Sequence, residues 1–121
     1  MDNQEKKAFM LLKSVILHYH GLDEDEERML NESADKLEAH VELQWANNFI
    51  AQDLESAFDR SRDFLNEVIG RLEKNQRLSY LNSVWQDNNR KGYITEMEAT
   101  AMLNLAKDWK VHEELMELVK E

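Results

Sequence analysis

A chain of 121 residues, 42% hydrophobic and 33% charged, has the size and balance of one globular domain with one core, spanning residues 1–121. It holds no proline, no cysteine and three glycines, at 21, 70 and 92, which excludes disulfide scaffolds and cysteine nucleophiles and leaves too little turn punctuation for a sheet. Fifteen basic against 25 acidic residues give a formal charge of −10, a field that repels the phosphates of nucleic acid and anionic membranes.

Residues 4 to 20 place Ala8, Phe9, Leu11, Leu12, Val15, Ile16 and Tyr19 at helical spacing, with Gly21 positioned to close the helix. Asp23 three residues before Glu26 is a capping-box pattern, and Met29, Leu30, Ala34, Leu37 and Val41 continue a second apolar stripe from Glu24 onward. No Gly or Pro intervenes up to Ile69, yet one helix that long does not fit the domain; a break is expected at Asn47-Asn48, with Arg60-Ser61 the weaker choice. Phe64, Leu65, Val68, Ile69 and Leu72 form the next stripe, ended by Glu73 to Gln76; Leu78, Leu81, Val84 and Trp85 begin another. A loop is expected from Asp87 to Tyr93. Thr95 and Glu98 then repeat the capping box ahead of Ala101, Met102, Leu105, Ala106 and Trp109, and a short helix carries Val111, Leu115, Met116, Leu118 and Val119. The expected fold is all-α, a compact bundle of six or seven helices.

Acids concentrate in residues 23–42, nine against two bases, whereas residues 60–91 hold seven bases against four acids. The two blocks should attract, and side-by-side packing in the fold is the simpler consequence.

The chain also contains an internal repeat. Leu12-Lys13-Ser14-Val15 matches Leu81-Asn82-Ser83-Val84, and beyond the glycine turn Leu22 to Glu26 matches Ile94 to Glu98, so a helix, glycine turn and capped helix occur twice. The second turn overlays a twelve-residue calcium loop, with Asp87, Asn89, Thr95 and Glu98 at ligand positions and Gly92 at the sixth, but Lys91 sets an ammonium where a fifth-position oxygen belongs. Glu26 and Glu98 each lie at the edge of a buried stripe at the third helical position, where a glutamate reaches back to the N-cap amide; two such acids in a duplicated unit also invite a shared cation. His18 and His20, two apart, do not point together on a helix; His40 and His112 have polar neighbours, and the three tryptophans read as core. The chain has no Glu-x-x-His pair, no H-E-x-x-H, no G-x-S-x-G and no P-loop, and no nucleophile with a base can be named.

The segments "LLKSVILHYHGLDEDEERML" and "YLNSVWQDNNRKGYITEMEATAMLNLAKDWKV" resemble the tellurite-resistance TerB-like family over nearly the whole chain. The resemblance implies an all-helical domain of two pseudo-repeats linked to metal-ion binding and cytoplasmic stress responses, with Glu26 and Glu98 as its acids. His20 and Lys91 stand before the glycines where the family pattern has Asp.

The leading expectation is a non-enzymatic acidic domain holding one divalent cation, Ca²⁺, Mg²⁺ or Mn²⁺, between Glu26 and Glu98, assisted by Asp23, Asp87, Asn89, Thr95 and His20. The alternative is a metal-free module whose acidic helix from Asp23 to Glu42 docks on a basic protein partner, and a third is a degenerate EF-hand-like calcium switch. A homodimer is among the expected assemblies. Apolar runs of about five residues exclude membrane insertion, and Met1 to Glu5 has no signal-peptide pattern, so a cytoplasmic setting is expected.

Overall fold

The computed structural model describes residues 2–17 and 23–120. Among them are seven helices and no strand: α1 Asn3–Leu17, α2 Glu24–Leu37, α3 His40–Ala51, α4 Ala57–Val68, α5 Lys74–Lys91, α6 Glu96–Asp108 and α7 His112–Val119. The expected all-α bundle of six or seven helices is therefore what forms.

The organising element is α1. Every residue from Ala8 to Leu17 is buried, Lys13 and Ser14 included, because α2, α3, α4, α5 and α6 all pack against it. A helix apolar on every side has no wet face, so it becomes the axis of the bundle rather than one of its walls. The core built on it runs through Leu11, Leu12, Ile16, Leu65, Leu81, Leu105 and Trp109. Trp109 is enclosed, whereas Trp45 and Trp85 are only half-buried, Trp45 packing on Phe49 and Phe64 at 5.3 and 5.2 Å between ring centroids.

The chain does not break at Asn47-Asn48, which lies inside α3, nor at Arg60-Ser61, which lies inside α4. It turns at Glu38, a non-glycine residue in the left-handed region (φ 53°), where the Ala39 N–H donates to the Ala34 carbonyl at 2.8 Å. That closure needs no glycine once its orphan carbonyls are satisfied, although the left-handed backbone costs about 1–2 kcal/mol. Lys110 (φ 60°) ends α6 in the same way, with the Val111 N–H donating to the Ala106 carbonyl at 2.9 Å. The second turn falls between Gln52 and Ser56, where Asp53 accepts hydrogen bonds from the Glu55 N–H and the Ser56 hydroxyl.

The expected loop from Asp87 to Tyr93 is also corrected. Helix α5 continues through Lys91, and only Gly92 (φ 90°) takes the left-handed conformation that ends it. His18, His20 and Gly21, and the first turn they were expected to form, lie outside the described residues.

Candidate functional site

Lys13 sits among Phe9, Met10, Ile16 and Leu17, its neighbours three and four residues away on a helix with no solvent side. A buried ammonium must meet an anion. The anion is Asp87 of α5, whose Oδ2 lies 2.7 Å from Nζ with the two side chains only 5% and 11% exposed. The same Nζ donates to the Ser33 hydroxyl of α2 at 3.2 Å and stands 4.8 Å from the centroid of the Phe9 ring. One cation thus ties α1, α2 and α5 together. Its signal in the sequence was a lone lysine inside an otherwise apolar helical stretch.

The heads of α2 and α6 are built alike. Asp23 Oδ1 accepts from the Glu26 N–H at 2.8 Å, and Glu26 Oε1 accepts from the Asp23 N–H at 3.3 Å. At α6 the Thr95 hydroxyl oxygen accepts from the Glu98 N–H at 3.1 Å, while Glu98 Oε1 accepts from the Thr95 N–H at 3.0 Å and from its hydroxyl at 2.8 Å. These are two complete capping boxes at matching places in the proposed duplication. Both glutamates are nearly fully enclosed, because Met29 and Leu30, and likewise Ala101 and Met102, extend the same helix faces into the core.

The residues expected to hold a cation are distributed as follows. Asp23, Glu26, Thr95 and Glu98 form the two caps, Asp87 is bound to Lys13, and Asn89 is exposed on α5. Two residues apart on a helix, Asp87 and Asn89 diverge by about 200° and do not converge on one ion. They stand so because α5 continues through Lys91, which makes the first five positions of the calcium-loop pattern helical. Among the described residues no three His, Asp or Glu side chains are placed to share a metal ion, and His20 lies outside them. Among the described residues the expected donors are thus spread over two caps, one ion pair and one exposed amide. Asn88, which sequence reasoning passed over, is fully buried; its amide nitrogen is 3.7 Å from Met102 Sδ and its side-chain oxygen has no hydrogen-bond partner among the described residues.

A second polar cluster joins α4 to α6. Arg62 donates from Nε and Nη2 to the two Asp108 oxygens, at 2.5 and 2.8 Å, and Asn66 donates to Asp108 Oδ2 at 3.1 Å while accepting from Trp109 Nε1 at 2.8 Å. The Arg62 hydrogen bond holds the Asp108 carboxyl below its ordinary range, against the opposing effect of burial. In return Asp108 raises the Arg62 guanidinium.

On the surface the balance is different. Arg28 pairs with Asp25, Arg90 with Glu32, His40 with Asp35 and Lys74 with Glu114. Arg90–Glu32 joins α5 to α2, in line with the attraction expected between the basic and acidic blocks. Glu24 and Glu27 on α2, Asp59, Asp63 and Glu67 on α4, and Glu96 on α6 are exposed and have no ion-pair partner among the described residues.

No helix among the described residues is long and apolar enough to cross a membrane. No family model, curated protein or solved structure matches the chain.

Proposed function

We propose that this chain is a non-enzymatic, acidic helical module that docks a basic protein partner, in the cytoplasmic stress-response setting that its TerB-like resemblance implies. One observation carries the reading: with a formal charge of −10, and with several cations taken up by carboxylates or by backbone carbonyls as at Arg60, exposed acids outnumber exposed cations, although Lys36, Arg71, Lys107 and Lys110 also stay exposed without an ion pair among the described residues. An excess of one sign of charge on a rigid scaffold sets the rate and selectivity of association more than its affinity. The test is capture of partners on immobilised protein. A basic protein retained at low salt, released at raised ionic strength and indifferent to chelator supports the reading; capture that ignores salt or vanishes with chelator overturns it.

A second reading, a divalent cation at the head of α6, is favoured by the enclosed, unpartnered oxygen of Asn88, which belongs to a side chain touching Met102 one turn beyond Glu98. Titration calorimetry of chelator-stripped protein with Ca²⁺, Mg²⁺ and Mn²⁺, against the Glu26→Gln/Glu98→Gln variant, decides it. The absence of ion-dependent heat in the unmodified protein ends that reading.

A further inference from the structure

We draw no further inference here: the strongest candidate, the enclosed polar cluster at the head of α6 where Asn88 keeps a buried side-chain oxygen without a hydrogen-bond partner among the described residues beside Met102, belongs to the site already described for a divalent cation.

Discussion

Replacing Lys13 by methionine tests the reasoning about the bundle axis most directly. At 2.7 Å and an effective dielectric of about 20, the Lys13–Asp87 attraction is about 6 kcal/mol gross, offset by several kcal/mol of desolvation for each buried ion. The intact pair is therefore close to neutral in net stability. Removing one member is not, because it leaves the other charge enclosed and uncompensated at a cost of about 3–5 kcal/mol. Against a total stability on the order of 5–15 kcal/mol that is a large fraction. Lys13→Met and Asp87→Asn should each lower the urea midpoint, Lys13→Met by roughly 2 M and Asp87→Asn by less, since a neutral amide spares part of the penalty. The double variant Lys13→Met/Asp87→Leu puts apolar groups of similar size in both positions and should recover to within about 1–2 kcal/mol of the parent, giving a coupling above about 2 kcal/mol. The assay is urea unfolding followed by tryptophan fluorescence and far-ultraviolet circular dichroism. Single variants within about 0.5 kcal/mol of the parent, or a double variant no better than the worse single, would refute the claim that α1 encloses this charge.

Three further outcomes follow from particular contacts. Burial first, and then the hydrogen bond from its hydroxyl to Glu5, pushes the Tyr80 phenol up to about 12, so ultraviolet titration should show one tyrosine ionising late and Tyr80→Phe should abolish that phase. Its contribution to stability is present below pH about 10 and is lost as pH rises from there toward 12. Asp108, held low by Arg62, contributes stability present above the ordinary aspartate range and lost as pH falls through its lowered value; the urea-midpoint gap between the parent and Asp108→Asn should therefore close on acidification. Gly70→Ala would set a Cβ 2.4 Å from the Asn66 carbonyl oxygen, a backbone atom that cannot turn aside, and should lower the melting temperature by several degrees.

Periodicity made most of the helices legible, and the two capping boxes were visible as Asp23-x-x-Glu26 and Thr95-x-x-Glu98. What stayed hidden had identifiable physical causes. The turn at Glu38 carries no glycine because its closure depends on two carbonyls accepting from the next N–H groups, a property of geometry rather than of residue type. Asn89 and Lys91 read as loop residues by composition, yet they extend α5 as far as the first residue that readily takes positive φ, Gly92. Asp87 read as a ligand because its partner, 74 positions away, is invisible to local spacing. The depression lined by Phe58, Met97 and Thr100 could not be foreseen from sequence, since these residues belong to two helices, α4 and α6, that come together only by packing on α1.

The glutamates that the two halves share allow capping to be separated from cation binding by substitution. Thr95→Ala deletes the side chain that caps α6 but leaves the Glu98 carboxylate, whereas Glu98→Gln keeps an oxygen able to accept from the Thr95 N–H and deletes the charge. Loss of the N-cap should cost about 1 kcal/mol, or about 4 °C in melting temperature for a domain of this length. An ion present at a hundredfold excess over its dissociation constant would add about 2.7 kcal/mol, enough to outweigh the lost cap. If the head of α6 is only a cap, melting of the parent, Thr95→Ala and Glu98→Gln is unchanged by Ca²⁺, Mg²⁺ or Mn²⁺, which is the outcome expected under the interaction-module reading. An ion-dependent rise in the parent and in Thr95→Ala, absent in Glu98→Gln, transfers the argument to the cation.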